Sequence, residues 1–259
     1  MSVTFIGYAS GEAAGNPGCG EAPYYLQQHL PILNFAYQWG KIVAPIKGGN
    51  KLAAVAELSR QLAIATQEVL TSGSKVVNFG GDHSCAIGFW GGIAEYYRSQ
   101  GPIGLIWVDA HMDAHTPETS ESGNIHGMPL AALLGYGDPA LTTIANAKPK
   151  LRPEHVALIG IRSYEAGEAE LLRSLGVKIY YDHDIAERGL KEIFAEAHAI
   201  VNNGTAGYGL SLDLDGLAPD DAPAVGTPVE GGVSILELLP LLEKYMQRDF
   251  RFLGAEIVE

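Results

Sequence analysis

Cysteine is almost absent from this sequence: Cys19 and Cys85 are its only two thiols. That excludes a disulfide framework and a thiolate metal cage, and makes a reducing compartment the natural setting. Positive charge is also scarce, with 17 lysines and arginines against 30 aspartates and glutamates and a formal net charge of −13. Lacking a basic cluster, the chain has no electrostatic footprint for nucleic acid or an anionic membrane. No hydrophobic run approaches the roughly 18 residues of a membrane span. Met1-Ser2-Val3-Thr4-Phe5-Ile6-Gly7 has no basic region followed by an apolar stretch. Internal repeats, low-complexity tracts and an interdomain linker are missing as well. These absences leave a cytoplasmic chain of 259 residues, 47% hydrophobic, with enough apolar material to bury a full core in one domain over 1–259.

Short apolar runs alternate with amphipathic stretches of helical period. The pattern predicts an α/β fold, a three-layer α/β/α arrangement around a mostly parallel sheet. Strands are expected at 3–7, 75–79, 104–108, 155–161, 177–181, 208–214 and 251–258, with helices at 51–70, 85–98, 128–134, 168–175, 190–202 and 234–247.

Four segments carry oxygen and nitrogen ligands: Gly80-Gly81-Asp82-His83-Ser84, Asp109-Ala110-His111-Met112-Asp113, Gly123-Asn124-Ile125-His126-Gly127 and Ser211-Leu212-Asp213-Leu214-Asp215-Gly216. With a spacing of two, Asp109, His111 and Asp113 are expected to project to one side of a strand end while Ala110 and Met112 point into packed protein. Asp213 and Asp215 repeat the spacing. Four carboxylates and two imidazoles without a thiolate favour hard or borderline divalent ions, Mn²⁺ foremost, over structural zinc. Three of these segments follow expected strands, so they converge at the carboxyl ends of a parallel sheet, where open α/β folds bind ligands. Singly they have ordinary readings, His83 as a packed turn residue, Asp213 and Asp215 as a solvated strand end or helix cap.

In this order and with these neighbours, the segments resemble the metal motifs of the arginase or ureohydrolase family. The similarity runs from the glycine-rich loop 16–23 through Gly226-Thr227-Pro228 to the final strand. The resemblance implies an arginase-like fold and two Mn²⁺ ions per chain. His83 and Asp113 would hold one and His111 and Asp215 the other, with Asp109 and Asp213 bridging. Two dications about 3.5–4 Å apart bring the pKa of a shared water near neutral and hold it for attack on a guanidinium carbon. Metal removal is then expected to cost stability as well as activity. By the same resemblance His126 is the proton shuttle, Asp113 also stabilises developing positive charge, and Glu259 grips the guanidinium. Thr227 is expected to brace Glu259, and Asp82 to support the site through hydrogen bonds.

Ser120 and Ser122 match positions whose hydroxyls contact an α-carboxylate, and Asn124 belongs with the substrate contacts. His115 stands where asparagine is usual and is expected to donate to the same carboxylate. Glu165, where aspartate is usual, and Glu168 address an α-ammonium; their ordinary reading is the acidic start of a helix. The resemblance therefore implies hydrolysis of L-arginine to L-ornithine and urea by a homotrimer or homohexamer. Family members continue beyond the position of Glu259, so the C-terminal helix of the family is expected to be lacking. The alternatives are agmatinase, formimidoylglutamase or another guanidino-compound hydrolase, a non-catalytic metal-bound member, and a single-zinc deacetylase.

Overall fold

A strand covered on both faces reads as an unbroken apolar run, and Ile103-Gly104-Leu105-Ile106-Trp107-Val108 is buried at every position. Its side chains divide with the period of two that a strand imposes. Ile103, Leu105 and Trp107 join one core cluster, while Ile106 and Val108 join a second on the opposite face.

The computed structural model describes residues 2–15, 17–30, 36–45, 50–247 and 249–259; Asn16 of the glycine-rich loop lies outside them. Strand β1 (Val3–Tyr8), helix α1 (Ala22–His29) and strand β2 (Tyr37–Val43) come first, then α2 (Lys51–Thr71), β3 (Lys75–Gly80), α3 (Cys85–Tyr97) and β4 (Ile103–Val108). Next are α4 (Pro129–Leu134), α5 (Pro139–Thr142), β5 (Leu151–Ile161), α6 (Ala166–Leu175), β6 (Lys178–Tyr181), α7 (Asp182–Arg188) and α8 (Leu190–Asn202). The chain then runs through β7 (Gly207–Asp213), α9 (Ile235–Met246) and β8 (Phe252–Val258).

Among the described residues the strands form one eight-stranded sheet in the order β2-β1-β3-β8-β7-β4-β5-β6. Every neighbouring pair is parallel. Leu58 and Leu62 of α2, Phe89 and Trp90 of α3, Leu130 of α4 and Leu172 of α6 pack on one face. Ile193, Phe194 and Val201 of α8 and Leu238 and Leu241 of α9 cover the other, completing three layers. No helix among the described residues is long and apolar enough to cross a membrane.

Two features of the sheet prepare the site. Register aligns Val108 with Leu212, Leu212 with Ile257 and Ile257 with Phe79, so the residues after β4, β7 and β3 emerge at one level. Gly209 leaves room for Trp90, because a Cβ there would lie 2.1 Å from the indole ring. The ring edge thus packs against the β7 backbone at Gly209, and its Nε1 reaches Glu256 on β8.

Candidate metal centre

His83 sits in the turn from β3 into α3. Asp82 braces that turn by accepting the N–H groups of Ala13 (3.1 Å) and Ser84 (3.0 Å). Burial pushes the Asp82 carboxyl up to about 6 against these hydrogen bonds. The His83 ring stacks on Trp107 with centroids 4.2 Å apart and an interplanar angle of 14°. Behind the ring, Nε2 lies 2.8 Å from Ser211 Oγ, and that hydroxyl donates to Glu256 Oε1 at 2.7 Å. Since the single Ser211 proton goes to Glu256, Nε2 carries the imidazole proton and donates it to Ser211.

Nδ1 of His83 is consequently an acceptor, and it faces other acceptors. Carboxylate oxygens of Asp109, Asp113 and Asp213 stand 3.2, 3.1 and 3.0 Å away. This buried nitrogen has no hydrogen-bond partner. Four lone-pair donors converging without a donor hydrogen call for a positive charge between them. Donor atoms about 2.1 Å from an octahedral cation, at right angles to one another, lie about 3.0 Å apart, so the spacing fits a divalent ion.

A second nest adjoins the first. His111 Nδ1 lies 3.1 Å from Asp215 Oδ2 and 3.5 Å from Asp109 Oδ1. Asp109 belongs to two of the three groups whose donor atoms could surround an ion, the two that form these nests. Its oxygens are further fixed by N–H donors, Trp107 Nε1 at 2.9 Å on Oδ2 and the His111 backbone at 2.7 Å on Oδ1.

The expected strand-like projection of these ligands needs correction. Strand β4 stops at Val108, and Asp109–Asp113 form a loop in which Asp113 takes a left-handed φ of 49°. Asp213 ends β7 and accepts the backbone N–H of Asp215 at 2.9 Å, as Asp109 does for His111. The spacing of two thus reflects side-chain turns that fold the backbone around each aspartate. Extended alternation would spread the ligands along the strand.

The electrostatics identify the two ways this cluster can be neutralised. Burial lowers the His83 pKa, but a proton placed on Nδ1 would be shared with the carboxylates of Asp109, Asp113 and Asp213, which outweigh burial and push the imidazole well above its usual value. Against the same burial, Asp109 and Asp215 carry His111 up to about 12. Burial followed by repulsion from Asp109 raises Asp113 to about 7, and Asp213 is raised well above the carboxylate range by burial, Asp215 and Asp109. Protons and divalent ions are therefore competing occupants of the same nests.

A cavity of about 150 Å³ opens on this centre. Its wall contains His111, Asp113, Asp213 and Asp215 together with His115, Ser120, Ser122, Asn124, His126, Glu165, Glu168, Thr227 and Glu259, whereas His83 and Asp109 lie buried outside that lining. The ligand, catalytic and substrate-contact residues singled out from the sequence are thus placed in this pocket or, for His83 and Asp109, beside its other ligands. His126 lies on the short 3₁₀ turn Ile125–Gly127. Its pKa is lowered to about 4 by burial and by repulsion from His83 and His111.

The bracing of Glu259 differs from expectation. Gly226 N–H donates to Glu259 Oε2 at 2.7 Å, whereas the Thr227 hydroxyl donates to Asp215 Oδ2 at 2.8 Å. The backbone amide points at the glutamate and the side chain turns toward the second nest. His115 also behaves differently: Nδ1 meets Thr119 Oγ1 at 3.1 Å and Nε2 meets Glu165 Oε2 at 2.8 Å. Both ring nitrogens are engaged by the protein. Ser211, Glu256, Trp90 and Trp107 were missed as support for His83, and only the serine, inside the Ser211–Gly216 motif, carried a sequence signal.

A parallel α/β sheet with two carboxylate–imidazole nests at its carboxyl edge defines a protein built for a binuclear centre. The Arginase family model matches residues 1–259. Over 210 residues the chain is 48% identical to the arginase of Bacillus caldovelox, an alignment covering 81% of this chain and 69% of that protein. The native structure of arginase from Bacillus caldovelox at pH 5.6 superposes with a TM-score of 0.87 at 39% identity, covering 100% of this chain and 90% of the other. Entamoeba histolytica arginase in complex with L-ornithine gives 0.91 at 28% identity with the same coverages. The chain belongs to the Arginase family, whose members are metal-dependent hydrolases with a binuclear site.

Proposed function

We propose that this protein hydrolyses the guanidinium group of L-arginine to L-ornithine and urea with two Mn²⁺ ions in the nests. The observation that carries the reading is the single cavity joining both nests to Glu259 and to a wall bearing Ser120, Ser122, Glu165 and Glu168. A guanidinium needs a carboxylate, and an amino acid needs both an anion and a cation contact; the wall supplies a group for each. The L-ornithine bound by the Entamoeba histolytica relative is the amino acid this reaction would release. Assembly as a homotrimer or homohexamer belongs to the same proposal.

His83 and Asp113 would hold one ion and His111 and Asp215 the other, with Asp109 and Asp213 shared between them. When bound, the pair supplies Lewis acidity and brings the pKa of water into the neutral range. Glu259, anchored by Gly226 N–H, orients the planar cation by charge-assisted hydrogen bonds. Ser120 and Ser122 accept the N–H groups of Gly123 and Asn124 at 3.0 and 3.2 Å, which leaves their hydroxyl protons free for a carboxylate. Glu168 is locked by the N–H groups of Ala114 and Glu165 and, with Glu165, offers negative charge to an α-ammonium. The helix-start reading of these glutamates therefore holds alongside the binding role. His126, neutral near pH 7 because its pKa is depressed, accepts the proton released by the attacking water and passes it to the departing amine.

Side-by-side turnover of L-arginine, agmatine and formimidoylglutamate by the Mn²⁺-loaded protein tests the reading. L-Arginine is expected to exceed agmatine by at least ~100-fold in kcat/KM, since agmatine forfeits contacts worth about 3 kcal/mol. Faster turnover of either competitor would overturn the assignment. His126→Asn is expected to lower kcat by ~10²–10⁴-fold with KM little changed, the range for a positioned proton-transfer group; steady-state kinetics decides this.

A further inference from the structure

One cluster in the cavity wall resembles a metal site that the proposed reaction does not need. His115, Glu165 and Glu168 each offer a donor atom, and the three atoms lie within 4.8 Å of one another. His115 Nε2 is 2.8 Å from Glu165 Oε2 and 3.6 Å from Glu168 Oε1. Its other nitrogen is held by Thr119 Oγ1 at 3.1 Å, and Thr119 Oγ1 is in turn fixed by the Thr116 N–H at 2.9 Å. That outer hydrogen bond orients an imidazole for coordination through Nε2. Glu168 is buried and pinned by two backbone N–H groups, while the Glu165 side chain is 62% exposed. Two donors are thus preorganised, and the third is a mobile arm reachable from solvent.

We propose that His115, Glu165 and Glu168 form a third divalent-cation site, suited to zinc, whose occupation excludes substrate from the amino-acid end of the cavity. One imidazole and two carboxylates with an open fourth position are a donor set zinc accepts. No lysine or arginine lines the cavity among the described residues, so no cationic side chain already pairs with the two glutamates. Coordination replaces the His115–Glu165 hydrogen bond and removes both glutamates from the α-ammonium, whose positive charge the ion also repels. The inhibitory consequence rests on the arginine reading above; the binding itself does not.

The test is zinc titration of Mn²⁺-saturated protein by equilibrium dialysis, counting manganese and zinc per chain, with urea release measured in parallel. One zinc is expected to join without loss of manganese and to raise KM for L-arginine at least ~10-fold with kcat within about twofold, as blockage of a binding contact requires. His115→Asn and Glu165→Gln should each raise the zinc needed for half-occupation by ~10-fold or more, as loss of a ligand does. Zinc uptake matched by manganese release, or undiminished uptake by both variants, would overturn the site. If L-arginine is not hydrolysed, the functional reading falls while the metal count still decides the third site. Should His115→Asn fail to fold, Glu165→Gln, at an exposed side chain, carries the comparison.

Discussion

Stripping the protein of divalent ions is expected to lower its Tm by about 10 °C or more and to abolish urea release, with both restored by Mn²⁺. An ion that binds only the folded chain stabilises it by about 2.7 kcal/mol per site at a hundredfold excess over Kd, so two sites contribute about 5 kcal/mol. For a domain of this size each kcal/mol moves Tm by roughly 2–4 °C. Protons partly substitute for the ions in the stripped protein, because His83 and His111 are raised far above neutrality and Asp113 to about 7. Those protons must leave when metal enters. Metal binding therefore releases protons, and affinity rises with pH. The gap in Tm between loaded and stripped protein should be larger at pH 8 than at pH 5.5. Calorimetry of the two forms at both pH values checks the sign; a Tm indifferent to chelation would eliminate the binuclear centre.

Asp109→Asn is expected to reduce urea release from L-arginine by at least ~10³-fold, about 4 kcal/mol in barrier height, and to lower metal content below that of the wild type. Asp109 is common to both nests, so its loss weakens two sites at once. Asparagine has nearly the same shape, but both Asp109 oxygens already accept N–H groups, from Trp107 and the His111 backbone. Whichever way the amide turns, its NH₂ confronts one of those donors, and the unsatisfied pair costs about 1–3 kcal/mol. Comparing the variant with wild type after both are stripped separates that folding cost from the loss of metal. Full metal content and near-wild-type turnover would remove Asp109 from the centre.

Much of the architecture was legible because burial writes itself into apolar patterns. The helix expected at 190–202 has those bounds in α8, and the runs preceding three of the four ligand segments are strands. Edge and surface elements were less visible. In β2, Gln38, Gly40 and Lys41 interrupt the apolar pattern because the strand is an edge with one face exposed. Helix α7 has no buried residue and so leaves no helical apolar period to read. At the site, the ligand types and their convergence followed from motifs placed after strands. Their exact bends did not, since aspartate turns depend on which backbone N–H each carboxylate captures. The support from Glu256 was hidden for a different reason: its contact with Ser211 joins positions distant in sequence that become register partners only when β8 pairs with β7.

The placement of β8 also bears on how the chain reaches this state. The strand follows the other seven in sequence, yet it lies between β3 and β7 and joins β2-β1-β3 to β7-β4-β5-β6. During synthesis two half-sheets would have to wait with an open seam, His83 on one bank and the aspartate segments on the other. Such distant pairing makes folding slow and leaves strand edges open to wrong partners. The centre is therefore a late product of folding, closed when β8 enters the seam, and a nascent chain without β8 has no route to bringing its two ligand banks together in this register.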